Sequence, residues 1–63
     1  MPMIKVNLLK GRSVEQKRAF AQAVTREAVR ILECRAEAVD VLFSEYEADD
    51  WAVGGVLIGG AKT

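Results

Sequence analysis

The sequence predicts an α/β fold, of the α+β kind, built on a single βαβ unit, because two strand patterns flank one long amphipathic helix. Residues 3–9 alternate apolar and polar side chains, which is typical of a half-buried strand. Residues 14–33 repeat apolar side chains at helical spacing, and residues 38–46 alternate again. A strand, a crossover helix and a second strand predict parallel strands with a right-handed connection.

The start of the helix is indicated by Ser13 and Gln16, which have the spacing of a capping box. In this motif each of the two side chains accepts a hydrogen bond from the other residue's backbone N–H. Gly11 precedes them and supplies the freedom for the chain to turn out of the first strand.

The C-terminal part predicts a short hairpin rather than a long strand. A polar loop over 47–50 precedes residues 51–58, which are apolar but interrupted by Gly54-Gly55. Residues 59–63 are expected to form a loose tail. No linker or internal repeat divides the sequence, so we expect residues 1–63 to be one domain.

The length of the chain limits its core. A domain of 63 residues buries only ~60% of the surface that its unfolded form exposes. Cys34 is the single cysteine and histidine is absent, so neither an internal disulfide nor a structural metal site is expected. Because 51% of the residues are hydrophobic, we expect oligomerisation to supply the missing stability.

Charge and hydropathy exclude two classes of partner. Nine basic and nine acidic residues give a net charge of zero, which argues against nucleic acid as a partner. No apolar run reaches the ~20 residues of a membrane-spanning helix, and no cleavable leader pattern is present. We therefore expect a reduced, cytoplasmic protein.

Pro2 is a candidate catalytic base. A residue this small in second place permits removal of Met1, which leaves a secondary α-amine on a rigid ring. A free α-amine titrates at roughly 7.7–8.0, and an apolar pocket or a nearby arginine lowers that pKa. A base poised near neutrality suits proton transfer at carbon. Taken alone, however, Met1-Pro2 is a common way for a protein to begin.

Arg12 and Trp51 are candidate substrate-binding residues. Arg12 lies beside the unpaired N–H groups of the first helical turn, an arrangement that suits a carboxylate, although a solvated loop arginine is the alternative. Trp51 is suited to wall a pocket, or else to anchor a loop or interface. The first strand separates Pro2 from Arg12 by about 20 Å or more, so cooperation between them requires Arg12 from a neighbouring subunit.

These residues together resemble the 4-oxalocrotonate tautomerase family over essentially the whole chain, in register and without a gap. The segments that carry the resemblance are Met1-Pro2, Leu8-Leu9, Gly11-Arg12-Ser13, Glu15-Gln16-Lys17, the second strand ending in Glu45, and Trp51-Ala52-Val53-Gly54-Gly55.

The resemblance implies a tautomerase-like βαβ subunit that dimerises through its sheet, with three dimers forming a hexamer. It also implies a cofactor-free isomerase that works by intramolecular proton transfer, in which Pro2 is the general base for keto–enol tautomerisation of a 2-hydroxy-dienoic or 2-oxo acid. Arg12 of another subunit would bind a carboxylate of this small-molecule substrate. Trp51 falls where the family has an aromatic pocket wall, commonly phenylalanine.

The resemblance breaks at Asp40. The family's best-known members have a second arginine there, which meets the 2-oxo and carboxylate end of the substrate, and Asp40 would repel an anion. Lys5 and Arg35 are candidate compensating cations. The alternatives are a related hydratase or dehalogenase, with Asp40 or Glu45 activating water, or a non-catalytic or partner-dependent subunit of a hetero-oligomer.

Overall fold

The computed structural model describes residues 1–59 and consists mainly of two parallel strands packed against one helix. Strand β1 spans Met3–Leu9, helix α1 spans Val14–Leu32, and strand β2 spans Asp40–Tyr46. The two strands pair in parallel along their full lengths. The predicted βαβ unit with parallel strands is therefore confirmed.

A short antiparallel hairpin follows the βαβ unit. Its strands are β3, Ala52–Val53, and β4, Val56–Leu57. Gly54 and Gly55 form the turn with φ angles of 61° and 83°, a backbone region that favours glycine. This confirms the predicted hairpin, whereas the predicted tail lies, apart from Gly59, outside the described residues.

Helix α1 begins at the predicted capping box. The Ser13 side chain accepts a hydrogen bond from the Gln16 N–H at 3.1 Å, and the Gln16 side chain accepts one from the Ser13 N–H at 2.9 Å. The helix ends one residue earlier than predicted, because Glu33 adopts a left-handed conformation with φ 56°. Across residues 1–59, no helix is both long and apolar enough to cross a lipid bilayer.

The predicted start of the second strand is wrong by two residues. The chain forms a 3-10 turn over Ala36–Ala38, and β2 begins only at Asp40. In this turn the Ala38 N–H donates to the Arg35 carbonyl at 3.0 Å. Alanine and glutamate are poor strand formers, so this segment forms a turn although its apolar alternation continues into β2.

The contact between α1 and the sheet is thin. Ala28 is the one buried apolar residue found among residues 1–59, with 8% of its surface exposed. The ring of Phe20 packs edge-on against Phe43 at 6.3 Å between centroids. Of the predicted apolar stripe of α1, Ile31 and Leu32 stay 60% exposed. A two-stranded sheet is only about 10 Å wide, so it covers little of a helix.

Apolar side chains are therefore exposed on several surfaces of the chain. Met3, Leu42 and Tyr46 lie on the face of the sheet opposite α1, which we call the open face, since Val41 and Phe43 alternate with them toward the helix. The hairpin exposes Val53 by 66% and Val56 by 59%. These surfaces are suited to burial against other copies of the chain.

Replacing Ser13 tests the capping box. We expect Ser13→Ala to destabilise the protein by about 1 kcal/mol, because the Gln16 N–H loses its acceptor. Urea denaturation at one fixed protein concentration measures the change, since assembly makes stability depend on concentration. The Ser13→Asp variant restores an acceptor and should retain the stability. Equal losses in both variants would contradict the assigned cap.

Light scattering tests whether the exposed faces drive assembly. We expect a particle mass that is a multiple of the 6.9 kDa chain mass. Leu42→Lys places a charge on the open face and should shift the population toward smaller particles. Gln22→Lys, on an exposed position of α1, is the control for added charge alone. A folded, stable monomer of the unmodified chain at micromolar concentration would refute the interpretation that the exposed faces drive assembly.

Candidate functional site

The parallel pairing of β1 and β2 divides the sequence-predicted site residues between two ends of the sheet. Both strands begin at one end, the amino edge, which carries Pro2 and Asp40. Both strands end at the other, the carboxyl edge, near which Arg12 and Trp51 follow. Within one chain, Pro2 is thus brought together with Asp40 and separated from Arg12 and Trp51.

At the amino edge, backbone hydrogen bonds hold the first residues of the chain. The Asp40 N–H donates to the Pro2 carbonyl at 2.9 Å, and the Met1 ammonium donates to the Ala38 carbonyl. Pro2 is half-buried, whereas Met1 is 77% exposed. With Met1 attached the Pro2 nitrogen is an amide; without Met1 it becomes an amine at the start of a strand that is fixed to its neighbour.

The Asp40 side chain lies on the open face, since Val41 points toward α1 and side chains alternate along a strand. It is exposed, and within residues 1–59 no lysine or arginine forms an ion pair with it. Lys5 lies on the same face, on the neighbouring strand opposite Leu42. Arg35 instead contacts Glu37, with 3.8 Å between Nε and Oε1.

At the carboxyl edge, Arg12 lies at a groove of about 290 Å³ between the sheet and the first turns of α1. The wall of the groove is mostly apolar and includes three polar side chains. Its lining residues are Val6, Leu8, Arg12, Gln16, Lys17, Phe20 and Phe43.

The second cation of this groove, Lys17, is paired. Its Nζ lies 2.8 Å from Oε2 of Glu45, and about a quarter of each side chain is exposed (25% and 28%). The Glu45 carboxylate therefore largely neutralises the charge of Lys17. Arg12 is exposed, and among residues 1–59 no carboxylate pairs with it. The groove thus offers one uncommitted guanidinium beside apolar side chains, which suits a single carboxylate on a hydrocarbon chain.

Contacts of Lys10, directly after β1, fix the position of the chain just before Arg12. The Lys10 N–H donates to the Tyr46 carbonyl at 2.9 Å, and Nζ of Lys10 lies 2.9 Å from Oε2 of Glu47. The hydrogen bond with Glu47, together with its charge, raises the pKa of Lys10. Gly11 then turns the chain with φ 132°, a conformation that favours glycine, and delivers Arg12 to the start of the helix.

Trp51 lies on the other side of the sheet. It lines a shallow depression of about 310 Å³ together with Asn7, Tyr46, Asp50 and Ala52. Its ring packs edge-on against Tyr46, at 5.8 Å between centroids, and the Tyr46 hydroxyl donates to Oδ1 of Asn7 at 3.3 Å. Trp51 and Arg12 of one chain therefore line different surfaces.

Two features of the site were not predicted from the sequence. The strand alternation could have indicated the Lys17–Glu45 pair, because it puts Glu45 on the same side as Phe43 and hence toward α1. The Tyr46–Asn7 contact follows only from the strand register. Among residues 1–59, no group of His, Cys, Asp and Glu side chains is arranged to hold a metal ion.

Comparison with known proteins assigns the chain to a family. The family model described as "Tautomerase enzyme" matches residues 2–61. A probable tautomerase of Ralstonia nicotianae is 40% identical over 62 residues, which cover 98% of this chain and 89% of that protein. A probable tautomerase of Halalkalibacterium halodurans is 36% identical over 58 residues, covering 92% of this chain and 95% of that protein.

Solved structures agree with this assignment. TomN, a 4-oxalocrotonate tautomerase homologue of the tomaymycin biosynthetic pathway, superimposes with a TM-score of 0.90 at 36% identity and covers 97% of this chain and 94% of its own. A 4-oxalocrotonate tautomerase isozyme of Methylibium petroleiphilum gives 0.88 at 40% identity, covering 92% and 91%. A heterohexameric 4-oxalocrotonate tautomerase of Chloroflexus aurantiacus gives 0.88 at 28% identity, covering 97% and 98%. The chain belongs to the tautomerase family, as its resemblance to 4-oxalocrotonate tautomerases predicted.

Proposed function

We propose that the protein is a cofactor-free tautomerase that ketonises a small 2-hydroxy-dienoic acid, with Pro2 as general base once Met1 has been removed. Family membership supports the reaction class. The observation that carries the assignment to Pro2 is its position: its carbonyl accepts the Asp40 N–H at 2.9 Å, so its ring is held at the sheet edge. A base held in place needs no ordering before proton transfer.

The proposed reaction moves one proton within the substrate. The neutral amine of Pro2 takes the proton of the enol hydroxyl, and the electron pair of that O–H bond forms the ketone. The double-bond electrons shift along the conjugated chain to a carbon atom. That carbon then receives the proton from the Pro2 ammonium, which regenerates the neutral amine. No oxidant, reductant or cofactor is consumed.

Arg12 of a neighbouring chain would complete this site. In one chain, β1 lies between Pro2 and Arg12, so a small acid cannot contact both. The exposed apolar surfaces favour assembly, and the Chloroflexus aurantiacus relative is a heterohexamer. In the proposed site, the Arg12 guanidinium binds the substrate carboxylate and draws electron density toward it. Trp51 excludes water from the apolar part of the substrate.

A second candidate function is hydratase or dehalogenase chemistry. The observation that favours it is the exposed carboxylate of Asp40 next to Pro2, which is suited to accept a proton from water. Glu45, the other acid considered for this role, is paired with Lys17. Release of halide from a halogenated unsaturated acid, or addition of water to an unsaturated acid, distinguishes this activity from enol ketonisation.

Replacing Pro2 tests the assigned base. We expect Pro2→Ala to lower kcat/KM for ketonisation of an enol acid by about 10²-fold or more, because the secondary amine is lost. Intact mass must show that Met1 is absent from both proteins, since a retained Met1 leaves an amide nitrogen. Gln22→Ala, at an exposed position of α1, is a control for a small change outside the proposed site. Unchanged kcat/KM in Pro2→Ala would remove the role of Pro2.

Mixing two inactive variants tests the shared site. We expect Pro2→Ala and Arg12→Ala, each nearly inactive alone, to regain activity when they are unfolded and refolded together. In a randomly mixed assembly about one quarter of the sites receive an intact Pro2 and an intact Arg12 from different chains. Refolding each variant separately and then combining the samples is the control. If both residues came from one chain, co-refolding would restore no activity.

A further inference from the structure

Arg12 and Asp40, which lie near opposite edges of the sheet, carry uncommitted charges of opposite sign. Near the carboxyl edge, the guanidinium of Arg12 has no ion-pair partner among residues 1–59, whereas Lys17 is balanced by Glu45 at 2.8 Å. At the amino edge, the Asp40 carboxylate is exposed and likewise forms no ion pair in that part of the chain. A site assembled from the amino edge of one chain and the Arg12 groove of another therefore has one positive and one negative end.

The negative end is built next to the reacting group. The backbone hydrogen bond from Asp40 to Pro2 fixes the distance along the sheet between the carboxylate and the proline ring. Lys5 is two positions further along the neighbouring strand on the same face and does not reach ion-pair range of Asp40. When a bound substrate displaces water from this edge, the repulsion between Asp40 and a second anion becomes stronger.

The positive end offers room for one carboxylate on an apolar chain. Val6, Leu8 and Phe43 provide the apolar wall beside Arg12, and the cavity of about 290 Å³ matches a small unsaturated acid rather than a large ligand. Since Lys17 is already paired, a second carboxylate would find no free cation among the described residues that line this groove.

From this arrangement, and resting on the shared site of the proposed function, we propose that the site selects monoanionic acids: Arg12 binds their one carboxylate, and Asp40 excludes a second carboxylate from the Pro2 end. Asp40 is thus a specificity-determining residue. The end of the substrate that meets Asp40 is its uncharged hydrocarbon end, because the hydroxyl of a 2-hydroxy acid lies on the carbon next to the carboxylate that Arg12 binds. Dicarboxylates of the same length are poor ligands.

Two unreactive acids of equal length test the selection by binding alone. Sorbate (hexa-2,4-dienoate) and trans,trans-muconate (hexa-2,4-dienedioate) share a six-carbon diene, and only muconate has a second carboxylate in place of the methyl group. Calorimetric titration of the assembled protein gives both Kd values. We expect sorbate to bind at least about tenfold more tightly than muconate. In Asp40→Asn, which removes the charge at constant size, this ratio should fall to about one or reverse.

Glu27→Gln is the matched control. It removes one negative charge from an exposed position of α1, where Glu27 contacts Arg30 at 2.6 Å, and should leave the ratio of the two Kd values unchanged. Arg12→Gln should weaken both acids together, because it removes the carboxylate partner. Equal binding of the two acids by the unmodified protein, no binding of either, or an unchanged ratio in Asp40→Asn would each overturn the proposal.

The titration and the ketonisation assay together distinguish a failure of the selectivity from a failure of the proposed reaction. If sorbate is preferred and Asp40→Asn abolishes the preference, but enol acids are not ketonised, the selectivity stands and the assigned reaction fails. If enol acids are ketonised and the Asp40→Asn variant keeps the same ratio, the reaction stands and the selectivity fails.

Discussion

The register between β1 and β2 determines which side chains surround Pro2 and which face α1. It places Met3 opposite Asp40 and lets the Asp40 N–H bond to the Pro2 carbonyl. A slip by one residue would turn Val41 and Phe43 away from α1 and bring Asp40 toward the helix, so the apolar face opposes any other register. The packing of the helix against the sheet therefore determines which side chain lies beside the proline.

The thin interior of the chain connects stability with function. With only Ala28 buried among residues 1–59, the apolar area covered within one chain is too small to offset the entropy of ordering it. We expect burial of the open face and of the hairpin against other chains to supply the difference. The proposed site makes the same demand, since Pro2 and Arg12 meet only between chains. A substitution that weakens assembly is thus expected to lower stability and activity together, even far from Pro2.

The sequence predicted those parts of the fold that depend on local pattern. Alternation located both strands, and Ser13 with Gln16 marked the start of α1, because these signals are set by neighbouring residues. The start of β2 was misplaced because the alternation extends into a segment of poor strand formers. The sequence pattern could not predict that Pro2 and Asp40 are adjacent, since this depends on how two distant segments align.

Opposite charges at the ends of the proposed site do more than select the substrate's net charge. A conjugated acid with one carboxylate enters such a site in one orientation, because the reversed orientation would bring its carboxylate to Asp40 and leave Arg12 without a partner. Orientation decides which atom meets the Pro2 nitrogen, and a fixed near-attack geometry is worth more to proton transfer than binding strength alone. Asp40 can therefore support the proposed reaction while departing from the family's arginine. Where an arginine would attract one end of the substrate, Asp40 repels the carboxylate of a substrate that enters in the reversed orientation.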